Sequence, residues 1–184
     1  DPTVVVTPLF NQEFIGGAGI VSAHSASLGG LAHLISVCGE DEVGKSLRKR
    51  LSKVSVDPRI IHDQSRPTTI KSRYRARGQT LLRVNELRDH EVDKSISETI
   101  VENALDLLPE VDLLLFSDFG YGMLSQDVID RLSDEGRKRR LVIGADSQTS
   151  SQMGDFSRFN GLSILTPTEK EARLAVRDKY AGLV

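Results

Sequence analysis

The sequence predicts an α/β fold, a doubly wound parallel sheet accompanied by a separate small β layer. Two observations carry this. From Val111 onward, short apolar runs alternate with helical runs in the order β-α-β-β-α, and each apolar run ends in polar turn residues. Before that, Thr68–Leu87 alternates apolar and cationic residues around a glycine turn, which is the pattern of an antiparallel hairpin and fits poorly inside a parallel sheet.

Thr3–Val6 reads as a strand. In Ile15–Leu28 (IGGAGIVSAHSASL), Gly16 and Gly17 open an apolar helix. A glycine pair there lets the backbone turn sharply and lets a ligand approach the first free amides. Those amides and the positive end of the helix dipole suit a polyol, a phosphate or a carboxylate, although simple packing explains the same pair. Ala32–Val37 is a second strand, and Gly39-Glu40-Asp41 turns into a helix over Glu42–Val54. Val43, Leu47 and Leu51 recur there every four residues, while Lys45, Arg48, Lys49 and Lys53 form a solvated face in preference to a phosphate patch.

Asp57–His62 is a short strand. In the hairpin, Ile70, Ser72, Tyr74 and Ala76 alternate with Lys71, Arg73, Arg75 and Arg77, and Gly78-Gln79 make the turn. A basic strand facing an anionic ligand and a solvent-exposed edge blunted by cations both fit this pattern. Asp93–Leu108 is the clearest helix, with Asp93 as its cap, a stripe of Ile96, Ile100, Ala104 and Leu107, and Pro109 as its stop. Val111–Phe116 is apolar enough for a central parallel strand, and the loop Ser117–Gly122 follows it where ligands bind in open α/β sheets. A helix from Ser125 or Asp127 to about Lys138 comes next, then a strand over Leu141–Ala145 ending at Asp146. Ser150–Asn160 reads as irregular, and Leu162–Leu165 as a strand. Thr168 caps the last helix, with Glu171 placed to complete a capping box.

Composition narrows the function. The 184 residues are 39% hydrophobic and 27% charged with a net charge of −2, which points to no nucleic acid and no membrane as partner. The apolar runs fall well short of the roughly 20 residues that cross a bilayer, and no charged-then-apolar leader pattern opens the sequence. The single Cys38 sits in an apolar strand pattern and reads as a buried structural thiol rather than a nucleophile; a reducing compartment, the cytoplasm, follows. His24, His33, His62 and His90 are scattered, so no metal site is expected.

Several stretches in order resemble the ribokinase-like PfkB carbohydrate kinases, and within them the heptose 7-phosphate kinases. They are Gly16-Gly17-Ala18 with Ala26–Gly29, Val37–Asp41 (VCGED), Arg66–Arg73 (RPTTIKSR), Leu82–Glu86, Phe116–Gly122 (FSDFGYG) and Leu165–Glu171 (LTPTEKE). The resemblance implies a ribokinase-like doubly wound sheet with a small β lid, the lid strands lying at about 3–7 and 68–87. It places Gly16 and Gly17 under the sugar and turns Lys71 and Arg73 toward it, as suits a sugar phosphate. It puts Asp118, Asp146, Thr168 and Glu171 near the nucleotide and Mg²⁺. The family's chemistry, transfer of the ATP γ-phosphoryl to a sugar hydroxyl, comes with it.

The sequence also departs from the family's pattern. Ile20 stands where the family has Asn, Tyr121 and Gln148 where the heptose kinases have Lys, and of the family's Asn-x-x-Glu only Glu171 remains. The family's first strand, with a sugar-binding Asp, is expected before residue 1, and its Gly-Ala-Gly-Asp motif with the catalytic base after residue 184. Residues 1–184 therefore read as a partial domain, incomplete at both ends, with no catalytic residue among them and no activity in isolation. The departures support an alternative, a degenerate non-catalytic module for binding or for a homodimer through the lid.

Overall fold

A computed structural model describes residues 5–147 and 155–178. Gln148 and the start of the expected strand Thr3–Val6 lie outside them. From residue 5 the backbone is irregular up to α1 (Gly17–Ser27), and β1 (Ala32–Cys38), α2 (Glu42–Leu51), β2 (Val56–His62), β3 (Ile70–Ala76) and β4 (Gln79–Glu86) follow. It continues with α3 (Lys94–Leu107), β5 (Leu113–Asp118), α4 (Gln126–Lys138), β6 (Val142–Ser147), β7 (Ile164–Leu165) and α5 (Glu169–Ala175).

The parallel strands form two sets. β1 pairs with β2 from Ala32↔Val56 to Cys38↔His62, and β5, β6 and β7 form a three-stranded sheet with β5 at one edge. Both sets point the same way. α1 begins against Phe119, just past the end of β5, and leads by a short link into the start of β1. Arg66, just past β2, reaches the carbonyl of Tyr121, just past β5, at 2.6 Å. The strand C-termini therefore share one side of the molecule, where open α/β sheets bind ligands.

Helices cover both faces, as doubly wound sheets require. Along β1 the side chains alternate: Leu34 joins Ala23 of α1 and Leu51 of α2, whereas Ile35 and Val37 pack toward Ile100, Val101 and Ala104 of α3 and Phe116 of β5. The free edges of β1 and β5 border one open lane between α1 and α3. Leu113 and Leu115 on β5 stay 50% and 42% exposed along it.

Four expectations are corrected. Val5–Thr7 of the first lid strand have no strand structure. No described strand takes up their backbone, and Pro8 has no N–H to extend a ladder. The hairpin turns at Arg77-Gly78, not Gly78-Gln79: both have positive φ (50° and 80°), the geometry of a type I′ turn, and Ala76 pairs with Gln79. Asp93 occupies the N-cap of α3 but its side chain makes no capping hydrogen bond; the backbone carbonyl alone accepts from Ser97. The helix beginning at Glu42 ends at Leu51, and turns occupy the rest of the expected span.

Candidate functional site

The site grows from the start of α1. Gly17 has φ +55°, a left-handed conformation that strains any other side chain but asparagine or aspartate, and a Cβ there would sit 3.4 Å from the Phe119 ring. Gly16 at the N-cap has no side chain to take up the free amides, and no acid lies in the first turn. The positive helix end thus opens toward the cleft between β5 and the hairpin.

Two aromatic rings and one cation face that end. Phe119 and Tyr121 stack with centroids 6.4 Å apart and an interplanar angle of 20°. Lys71 of β3 holds its Nζ 5.6 Å from the Phe119 centroid and 5.1 Å from that of Tyr121. Both fall within cation–π range, an attraction of about 0.5–2 kcal/mol. The structure thus brings Gly17 and Lys71 together through Phe119, with Arg73 two residues farther along the same strand face. The Tyr121 hydroxyl is buried with no hydrogen-bond partner.

The hairpin register adds a third cation. Lys71 pairs with Asn85 and Arg73 directly opposes Arg83, because a bulge at Tyr74/Arg75 leaves Leu81 without a cross-strand partner. Two opposed arginines repel each other, so this face gains from an anion. The sequence alone does not mark Asn85, Arg83 or Phe119 as site residues, because their roles depend on this register and on where α1 begins.

The lid base is held by two networks. The Asp41 carboxylate caps α2 at the Gly44 amide and accepts from the amide and hydroxyl of Thr68, at 2.8, 2.8 and 2.7 Å. Buried Arg66 donates Nε to buried Asp63 and Nη2 to the carbonyl of His90, at 2.5 and 2.8 Å. Burial pushes the Asp63 carboxyl up, but the hydrogen bonds from Ser65 and Arg66 outweigh it and hold the group below the usual carboxylate range. Cys38 is buried, which raises its thiol and keeps it protonated, in keeping with a structural thiol.

Asp118, Asp146 and Thr168 lie at or just beyond the C-terminal ends of β5, β6 and β7, and Glu171 lies in the first turn of α5. Each already has a protein partner. Asp118 accepts from the Gly120 amide at 2.8 Å and pairs with Arg158 at 3.4 Å. Asp146 accepts from the Thr166 hydroxyl at 3.0 Å, and Thr168 and Glu171 form the capping box. No group of three metal-ligating side chains converges among the described residues. The described residues therefore offer no ready-made cage for a bare Mg²⁺ ion, while Mg²⁺ carried on ATP phosphates would need only one or two of these carboxylates.

The fold matches solved kinases. Escherichia coli phosphofructokinase-2 in its tetrameric inhibited form aligns with a TM-score of 0.69 at 17% identity, over 91% of this chain and 54% of that one. Ribokinase from Giardia lamblia aligns with a TM-score of 0.67 at 15% identity, over 94% of this chain and 59% of that one. Both are similar in fold, which is ribokinase-like. Residues 7–180 match the pfkB family carbohydrate kinase model, and the chain belongs to that family. The bifunctional protein HldE of Helicobacter hepaticus is 31% identical over 175 residues, 95% of this chain and 36% of that protein. The chain thus spans about a third of the length of the curated relatives it matches. Among the described residues, no helix is long and apolar enough to cross a membrane.

Proposed function

We propose that this chain is the sugar-recognising part of a PfkB-type kinase and that it holds a sugar phosphate, of the heptose 7-phosphate class, between the β3–β4 lid and the first turn of α1. One observation carries the reading: the Lys71 ammonium sits over Phe119 and Tyr121, beside the uncapped amides at Gly16 and Gly17. Arg73 and Arg83 add charge on the same hairpin face. A phosphorylated sugar offers hydroxyls to the helix amides and a dianion to the lid.

The reaction that fits the family is transfer of the ATP γ-phosphoryl to a sugar hydroxyl. ATP with Mg²⁺ supplies the phosphoryl group when bound. The chain's own residues orient the acceptor, with the cationic face of the hairpin turned toward it. No residue here matches the family's catalytic base, a group that usually contributes about 10²–10⁴-fold in rate, so the 184 residues alone recognise sugar without turning it over.

Two observations favour a second reading, a non-catalytic binding or dimerisation module. The Asp118 carboxylate is already engaged by Gly120 and Arg158. Tyr74, Leu82 and Val84 are 40%, 54% and 38% exposed on the hairpin face away from Lys71, which suits pairing of one lid with another. Thermal shift separates the readings. On the sugar-kinase reading, heptose 7-phosphate raises the melting temperature and Lys71→Ala or Arg73→Ala lowers its affinity about 10–100-fold, the worth of a hydrogen bond to a charged group. A sugar phosphate that leaves the melting temperature unchanged rejects that reading in favour of the module.

A further inference from the structure

We infer that Tyr121 is a positioning residue: with Phe119 it holds the Lys71 ammonium beside the first turn of α1, and so makes the site select sugars that carry a phosphate. This rests on the sugar-phosphate reading above and extends it to a residue with no assigned role.

Lys71 forms no ion pair with a carboxylate among the described residues. A lysine without such a partner ordinarily samples many rotamers. Here its charged end lies over two stacked ring faces instead. The loop that carries the rings is anchored. The Tyr121 carbonyl accepts from Arg66 Nη1 at 2.6 Å, the Gly120 amide is tied to Asp118 at 2.8 Å, and Phe119 rests on Gly17. An ammonium held over ring faces keeps its outward hydrogens free for an anion, whereas one paired with a carboxylate does not. Arg73 opposite Arg83 extends the positive face along the hairpin.

The Tyr121 hydroxyl has no hydrogen-bond partner among the described residues, and the contact with Lys71 is made by the ring. The working element is the ring face, so phenylalanine substitutes for tyrosine at this position and an aliphatic side chain does not. The lid strand supplies the ammonium across the cleft, and the loop after β5 supplies the ring beneath it.

The test uses the whole 184-residue chain and two readouts. In NMR spectra without ligand, the Lys71 ε-methylene protons are expected upfield from the ring currents. Tyr121→Phe keeps this shift and Tyr121→Leu loses it. In calorimetry with heptose 7-phosphate and with the same heptose unphosphorylated, Tyr121→Leu weakens the phosphorylated sugar about tenfold and leaves the other unchanged, while Tyr121→Phe behaves as the parent. Absence of the upfield shift in the parent chain overturns the proposal, as does an equal loss of affinity in Tyr121→Phe and Tyr121→Leu. A parent chain that shows the shift but ignores heptose 7-phosphate removes the sugar-phosphate reading while the Lys71 clamp stands.

Discussion

Arg66 and Asp63 form a buried ion pair, Nε to carboxylate at 2.5 Å, and the same guanidinium reaches the Tyr121 and His90 carbonyls. One side chain thus ties the end of β2 to the loop after β5, across the lane that separates the two parallel sets. Arg66→Ala leaves a buried carboxylate without its counter-charge and two carbonyls without their donor. It is expected to cost about 3–5 kcal/mol, measured by urea unfolding. Because the Tyr121 loop loses its anchor as well, the Lys71 ring-current shift is expected to weaken in the same variant.

The depressed Asp63 carboxyl sets the acid limb of stability. Its folded pKa lies below the unfolded value, so its contribution is complete above about pH 4 and is lost as the pH falls through the folded pKa. Asp41 acts in the same direction: burial raises its carboxyl, but hydrogen bonds from Thr68, Gly44 and Val43 prevail. Urea midpoints from pH 7 to pH 2 are expected to fall mainly below about pH 4. Asp63→Asn is expected to flatten part of that fall while lowering stability at neutral pH.

Gly122 tests the lid's approach to the sheet. Its φ is +75°, and a Cβ there would lie 2.0 Å from the His90 carbonyl oxygen. Its own carbonyl accepts from Val92 at 3.0 Å, so the loop after β5 cannot move away from the segment before α3 without losing that bond. Gly122→Ala is expected to destabilise by about 3 kcal/mol or more. Gly16→Ala meets nothing within 4 Å and is expected to fold normally, with circular dichroism melts as the comparison.

The open edges have a solution consequence. Leu113 and Leu115 flank unpaired β5 backbone, and Leu9, Phe10 and Phe14 are 90%, 78% and 80% exposed. The 184-residue chain is expected to bind a hydrophobic dye and to self-associate. Light scattering that finds a stable monomer without dye binding contradicts this. Leu82→Lys, on the apolar hairpin face, separates lid pairing from edge pairing: it is expected to reduce association only where the lids meet.

The sequence reveals the helices and most strands because their periodicity is strong. Ile100, Ala104 and Leu107 read as a stripe on α3 and are buried there. The alternation in Ile70–Ala76 likewise marks a strand with one cationic face. What stays hidden depends on tertiary geometry. The turn at Arg77-Gly78 and the bulge that opposes Arg73 to Arg83 follow from backbone twist, which side-chain alternation does not encode. Tyr121 is visible only as a departure from a family pattern; its contact with Lys71 requires the hairpin to fold back over β5. Asp118 looks like a free acid in the sequence, and its partner Arg158 emerges only with the fold, whereas the Thr168–Glu171 capping box is legible from its spacing and is formed.

Calorimetric titration of the chain with heptose 7-phosphate, at low and at high salt, is the decisive test of the sugar-phosphate site between the hairpin and α1. The expected result is saturable binding at one site that weakens as salt screens Lys71, Arg73 and Arg83. The contradicting result is no binding, or equal binding of the phosphorylated and unphosphorylated heptose at both salt concentrations.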